Sequence, residues 1–158
     1  MHRELMRKKQ ALPIEECAEI LLSETRGVLA VNGDSGYPYA MPMNHFYFPE
    51  DGCIYFHSGK TGHRTDSLLR SDKVSFCVTE EGARKDGDWA STVRSVIVFG
   101  RVTLTDDPSE IRRILPLLSM KFTSDTEYVE REIAESGKRT LLLKLIPEHI
   151  SGKRIREA

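Results

Sequence analysis

The fold of this chain is decided by residues 27–48, which read GVLAVNGDSGYPYAMPMNHFYF. A short apolar run, 27–31, is followed by the turn-forming residues 32–36 and then by a second apolar run, 37–48, that is rich in aromatic residues. Two strand-like runs separated by a glycine-rich turn are typical of a β-hairpin. The stretch therefore predicts an antiparallel sheet.

The rest of the chain extends this pattern. Four more strand-like runs bring the expected number of strands to about six, at 53–58, 73–79, 94–105 and 139–146. Apolar residues at helical spacing predict three helical regions, at 14–25, 63–70 and 108–136. Strands joined mostly by tight turns, with few crossover helices, favour a mainly β fold: an antiparallel barrel with peripheral helices.

Length and composition bound the function. A chain of 158 residues suits one domain, 1–158, with an N-terminal arm at 1–11 and a helical insertion at 108–136. Lys and Arg total 23 against 24 Asp and Glu, so no global field attracts nucleic acid or a membrane surface. No apolar run approaches the ~20 residues of a spanning helix. The polar start and three widely spaced cysteines predict a cytoplasmic protein with reduced thiols.

The segment 54–64, Ile-Tyr-Phe-His-Ser-Gly-Lys-Thr-Gly-His-Arg, is the richest in functional groups. It places two glycines, Lys60 and Arg64 at the turn between a strand and a short helix. Amides at a helix start can point at an anion, glycines permit its close approach, and the two cations would neutralise its charge. The alternative is that Gly-Lys-Thr-Gly is an ordinary surface turn. The segment is not a Walker loop, because no glycine precedes Gly59-Lys60-Thr61 with four residues between them.

A second candidate is the strand 37–46, which holds Pro38 and Pro42. Prolines remove ladder donors, so this strand is expected at an edge or a bulge, where Met43 and Asn44 could face a planar ligand. The alternative is that alternate residues of the strand are simply core.

Elsewhere, histidines and cysteines lack the spacing of a zinc site, so no metal is expected. The basic termini are expected to be solvated arms.

Four segments in this order resemble the nitroimidazole-resistance proteins of the pyridoxamine 5′-phosphate oxidase-like flavin-binding split-barrel superfamily. They are Tyr37-Pro-Tyr-Ala-Met-Pro-Met-Asn44, Ile54-Tyr-Phe-His-Ser58 with Gly62-His-Arg64, Lys73-Val-Ser-Phe-Cys-Val78, and Arg94-Ser-Val-Ile-Val-Phe-Gly-Arg101. The similarity also covers the ending 148–153. It implies a six-stranded split barrel that forms a homodimer, with FMN or FAD bound non-covalently in each of two clefts at the interface.

The resemblance also implies roles for particular residues. Pro42, Met43 and Asn44 would line the isoalloxazine ring, and Ser95, Val96 and Val98 would approach the ring from a neighbouring strand. The ribityl phosphate would be surrounded by Ser58, Lys60, His63 and Arg64. A histidine in this region would contact a ligand beside the flavin; His57 is the candidate, and His63 stays open as the alternative.

Function follows from the implied cofactor. A bound flavin would make the chain an oxidoreductase that acts on nitroimidazole-type or other small aromatic substrates. The alternative is a non-catalytic module that binds or senses flavin or haem.

Overall fold

A computed structural model describes residues 2–157 of the chain. Within this range the chain forms nine β-strands and four α-helices. In chain order the elements are β1 (Ala11–Leu12), α1 (Ile14–Ser23), β2 (Arg26–Asn32), β3 (Pro38–Asn44), β4 (Phe46–Phe48), β5 (Cys53–Gly59), α2 (His63–Arg70), β6 (Lys73–Thr79), β7 (Ala83–Arg84), β8 (Ser91–Thr105), α3 (Pro108–Met120), α4 (Thr126–Ser136) and β9 (Thr140–Glu157).

The main sheet follows one path, in the order β3, β2, β6, β8, β9, β5, β4, and its neighbouring strands are antiparallel. The two ends of this path, β3 and β4, are separated in sequence only by His45. A single residue therefore joins the two edges of the sheet, and the sheet is curled into a half-barrel. The prediction of a mainly β, antiparallel split barrel with peripheral helices is confirmed.

The strand count differs from the six expected. One predicted strand, 37–48, is divided at His45 into β3 and β4, because the chain there leaves one edge of the sheet and joins the other. The two-residue strands β1 and β7 add short pairs to β9 and β8. Such short pairs carry no alternating pattern, so sequence periodicity could not reveal them.

The last strand was also predicted too short. It was expected to end at residue 146, before a solvated basic arm, but β9 continues to Glu157 and pairs with β8 to the end. A bulge lets the strand pass Pro147: Gly100 lies opposite Pro147 and Phe99 lies opposite His149, which leaves Glu148 as the extra residue.

Two apolar clusters stabilise this architecture. The larger fills the half-barrel; its aromatic centre is Phe56 and Phe76, whose rings lie edge to face with centroids 5.0 Å apart. The smaller lies outside the sheet, where Tyr55 and Leu142 pack under Ile114 of α3. Each fully buried side chain of this kind contributes ~1.5–3 kcal/mol. Within residues 2–157, none of the helices combines the length and the apolarity needed to cross a membrane.

The break between β3 and β4 is a buried polar cluster, which we call the His45 junction: His45, Lys121 and the carbonyl groups of Leu21 and Glu24. His45 is fully buried, and its Nε2 lies 2.9 Å from the Leu21 carbonyl oxygen. The Lys121 ammonium donates to the carbonyl oxygens of Leu21, Glu24 and His45 itself. Desolvation and the charge of Lys121 lower the pKa of His45 to about 4, and desolvation lowers the pKa of Lys121 to about 8.

Candidate functional site

The turn between β5 and α2, residues 58–64, is open, and a ligand could come close to its backbone. Gly62 has φ +123°, a conformation that side chains rarely tolerate, and a Cβ at Gly59 or Gly62 would meet nothing within 4 Å. The first amides of α2, beginning at His63, have no acceptor within the helix. The 58–64 turn therefore offers free backbone donors beside open space.

Arg64 provides the charge at this turn. It is half-buried, its Nη1 donates to Ser58 Oγ at 3.0 Å, and its Nε lies 3.1 Å from Met41 Sδ. Both partners are neutral, and among residues 2–157 no carboxylate oxygen lies within 4.0 Å of the Arg64 guanidinium. Charges that are removed from water are normally paired with an opposite charge. The Arg64 side chain is thus held in place by two neutral partners, and no carboxylate balances its positive charge.

The histidine of the turn is held by β3 and by the β2–β3 connection. The His63 ring stacks on Tyr39, with centroids 4.1 Å apart and planes 11° apart. Its Nε2 lies 3.5 Å from an Asp34 carboxylate oxygen, and Arg70 donates to the same carboxylate at 2.7 Å. These contacts tie the start of α2 to the hairpin that precedes it and so hold the 58–64 turn in place.

Lys60 lies farther out. Its ammonium donates to Asp106 Oδ2 at 3.2 Å, and both side chains are largely exposed. An exposed ion pair of this kind contributes at most ~1 kcal/mol, so Lys60 can exchange Asp106 for another anion at little cost.

His57 lies on the opposite face of β5 from Ser58. Ile54 and Phe56 point into the half-barrel, whereas Tyr55 points outward under α3, and strand alternation places His57 on the outer face. Desolvation and the nearby charge of Arg64 lower the pKa of His57. A neutral imidazole at physiological pH follows, able both to donate and to accept a hydrogen bond.

The strand residues expected to meet a planar ligand divide by face. Pro42, Asn44 and Ser95 lie on the outer face of the sheet, where Asn44 Oδ1 accepts a hydrogen bond from Arg26 Nε at 3.0 Å. Three others are buried in the core and can offer only backbone atoms: Met43, Val96 and Val98.

These residues also divide by position in the sheet. Pro42 and Asn44 belong to β3, close to the 58–64 turn through Met41, whereas Ser95 belongs to β8. Strands β2 and β6 lie between β3 and β8, which separates the two groups by three strand spacings, or ~14 Å. One chain therefore does not bring all the expected ring contacts together.

Sequence reasoning missed several members of this site. Tyr39 and Met41 lie in the strand 37–46, and core packing at period two was the alternative for its alternate residues; nothing in the sequence connects them to His63 and Arg64. Asp34 and Asp106 carry no motif, and only the folded contacts with His63 and Lys60 connect them to the turn. Over the same residues, 2–157, no three His, Cys, Asp or Glu side chains gather as a metal site.

Comparison with known proteins agrees with this architecture. The model of the family described as pyridoxamine 5′-phosphate oxidase matches residues 13–154. No curated protein matches the chain in sequence.

Three solved structures illustrate the similarity of fold. A protein from Bacteroides thetaiotaomicron, provisionally named a 5-nitroimidazole antibiotic resistance protein, is 20% identical with a TM-score of 0.76, over 93% of this chain and 87% of that one. A FAD-binding protein from Mesorhizobium loti is 20% identical with a TM-score of 0.67, over 92% and 97%. The flavocytochrome Anf3 from Azotobacter vinelandii is 20% identical with a TM-score of 0.76, over 95% and 72%.

Proposed function

This chain belongs to the pyridoxamine 5′-phosphate oxidase family, and on that premise we propose that it binds a flavin, FMN or FAD, at the 58–64 turn and acts as an oxidoreductase. The observation that carries the proposal is Arg64, a half-buried guanidinium held by Ser58 and Met41 with no carboxylate partner among residues 2–157. A flavin phosphate would supply the missing negative charge.

The residues of the turn fit a phosphate. Arg64 and Ser58 would bind it from the barrel side, Lys60 would turn to it from Asp106, and the first amides of α2 would donate to it beside His63. The open space over Gly59 and Gly62 leaves room for its oxygens. This assignment keeps all four phosphate contacts implied by the resemblance.

The ring would lie against the outer face of the sheet. Pro42, Asn44 and the backbone of Met43 would contact it from β3. The contacts from β8 would come from a second copy of the chain, because ~14 Å separates the two strands within one copy. Since β8 is paired on both sides at Ser95, the hydroxyl of Ser95 is the group free to meet the ring, with the backbone of Val96 and Val98 behind it.

A homodimer follows from this division. The outer face of the sheet carries adjacent apolar side chains: Val28 lies opposite Cys77, and Cys77 lies opposite Ile97. Val28, Ile97 and Phe99 are each about two-fifths exposed, at 41%, 39% and 39%. A contiguous apolar patch of this kind is typical of a protein interface.

Light scattering should give twice the 18.0 kDa of one chain, and Ile97→Lys should shift the protein to monomer and weaken flavin binding.

A bound flavin would supply hydride or electrons to a small aromatic substrate such as a nitroimidazole. The chain's own contribution would be position and charge: the cations hold the phosphate end, the sheet face excludes water from one side of the ring, and neutral His57 contacts the substrate. Its lowered pKa suits this role, because the imidazole then keeps an accepting nitrogen at neutral pH.

Titration of the purified protein with FMN and FAD tests the proposal. We expect yellow protein and quenching of flavin fluorescence at one flavin per chain. Colourless protein with no quenching would overturn the proposal.

A second candidate function is a non-catalytic flavin- or haem-binding module, favoured by the likeness of fold to a flavocytochrome. Anaerobic reduction distinguishes the two. If a nicotinamide donor or a low-potential reductant bleaches the flavin and a nitroimidazole then restores its colour, the oxidoreductase is supported. A flavin that is never reduced, or a haem absorption band in the purified protein, favours the binding module.

A further inference from the structure

The two helices between β8 and β9 enclose a groove that the proposed flavin site does not use. The groove has a volume of about 390 Å³, within the range of small-molecule sites. Its walls are apolar and its rim is charged, and it is lined by Asp106, Pro108, Ile111, Arg112, Ile133, Ala134, Gly137 and Lys138. An apolar slot with cations at its rim suits a flat ring that carries phosphate.

The groove opens beside the 58–64 turn. Asp106, at its rim, is the residue that holds Lys60 at 3.2 Å. On the other side, Lys138 precedes by two residues Thr140, which lies opposite Gly59 in the β5–β9 ladder. One end of the groove therefore lies next to the residues assigned to the flavin phosphate.

The positive charges between the 58–64 turn and the groove would suit the two negative phosphates of a diphosphate. Arg64 and Lys60 lie at the turn, and Arg112 and Lys138 continue the positive charge toward the groove. When Lys60 leaves Asp106 for a phosphate, the Asp106 carboxylate becomes free to accept a hydrogen bond from a ribose hydroxyl.

We propose that the groove between α3 and α4 binds the adenosine half of FAD, so that FAD is the preferred flavin. The inference rests on the proposed flavin site and adds to it the residues that distinguish the two cofactors. The flavin phosphate occupies the 58–64 turn, the second phosphate lies toward Arg112 and Lys138, and the adenine ring lies between Pro108, Ile133 and Ala134.

The test compares the affinities of FAD and FMN in matched variants of the full chain. The wild type should bind FAD at least tenfold more tightly than FMN. Ala134→Trp fills the groove from an exposed position on α4, so it should weaken FAD binding at least tenfold and leave FMN binding within twofold. Lys138→Glu should act in the same direction by repelling the second phosphate. The control Glu132→Trp places the same ring on α4 outside the groove and should change neither affinity.

The outcomes separate this inference from the proposed function. A wild type that binds FMN and FAD equally, or an Ala134→Trp variant that keeps its preference for FAD, overturns the groove assignment and leaves the flavin site standing. A wild type that binds neither flavin overturns both. Loss of both flavins in Ala134→Trp, with an unchanged circular dichroism spectrum, also contradicts the groove, because filling it should spare FMN.

Discussion

The His45 junction and the 58–64 turn each place a histidine near a cationic side chain, yet the two regions are completed in different ways. At the junction the Lys121 ammonium has three carbonyl partners and His45 is fully buried. At the turn the Arg64 guanidinium has a hydroxyl and a thioether, both neutral, and open space nearby. A cation whose donors are satisfied by the chain stabilises the fold, whereas a cation left short of negative charge is available to a ligand.

The largest expected effect concerns acid stability at the junction. His45 has a pKa of about 4 in the folded protein against 6.5 when free. Between these values the unfolded chain binds a proton that the folded chain does not, so stability is present above pH 6.5 and is lost as pH falls toward 4. The loss amounts to about 3 kcal/mol. Urea unfolding at pH 7, 6, 5 and 4 measures it.

His45→Gln removes the titrating group and provides the control. This variant is expected to be less stable at pH 7 but to show a shallower dependence on pH over the same interval. A Lys85→Met variant, changed at an exposed loop position, should keep the wild-type slope. Equal slopes in wild type and His45→Gln would contradict the assignment of acid lability to the junction.

The next effect concerns Lys121. Lys121→Met keeps the aliphatic stem but removes the donor shared by three carbonyl groups, and we expect the free energy of unfolding to fall by about 2 kcal/mol. Lys85→Met, at an exposed loop position, should stay within ~0.5 kcal/mol. Urea unfolding at pH 7 compares them. Flavin affinity should not change in either variant. A loss of flavin binding in Lys121→Met would contradict the view that the His45 junction serves only the stability of the fold.

Arg64→Glu tests whether the cation at the 58–64 turn binds a ligand rather than stabilising the fold. Charge reversal should weaken FMN binding at least tenfold, or about 1.4 kcal/mol, while the stability of the flavin-free protein barely changes. Fluorescence titration measures the affinity. Arg84→Glu makes the same change in net charge at an exposed site and should have little effect.

Riboflavin, which lacks the phosphate, separates the charge from the ring. It should bind the wild type more weakly than FMN and be nearly indifferent to Arg64→Glu. Equal losses for FMN and riboflavin would show that Arg64 does not contact the phosphate, even if the protein binds flavin.

The smallest effect is electrostatic coupling within the site. Desolvation and the charge of Arg64 both lower the pKa of His57. Arg64→Gln removes the second cause only, so the pKa of His57 should rise slightly and stay below its ordinary value, because desolvation remains. Titration of the imidazole protons by NMR measures this shift. An unchanged pKa would mean that His57 and Arg64 are not near each other in solution.

Sequence reasoning succeeded where the signal was local. The hairpin of β2 and β3 and the glycine-rich turn at 58–64 are determined by neighbouring residues, so both could be predicted. It failed where a distant partner decides the outcome. The break at His45 depends on Leu21 and Lys121, and the continuation of β9 past Pro147 depends on a bulge opposite Gly100.

The site shows the same limit. Residue types at the turn suggest an anion, but the sequence could not show that Arg64 has no carboxylate partner among residues 2–157 or that Lys60 has one in Asp106. The sequence left open whether Met43 faces a ligand or the core, and it did not show that the side chains of Val96 and Val98 point into the core.

The helical pair α3 and α4 is inserted between two strands whose register does not depend on it. Thr105 and Leu142, at the two ends of the insertion, lie opposite each other, and β8 and β9 pair over many residues beyond. Closing a longer loop costs only ~0.6 kcal/mol for each doubling of its length. Provided that Ile114 and its neighbours still cover Tyr55, the segment can change in length or in the shape of its groove during evolution without disturbing the barrel. Cofactor preference could then diverge among relatives while the turn that holds the phosphate stays the same.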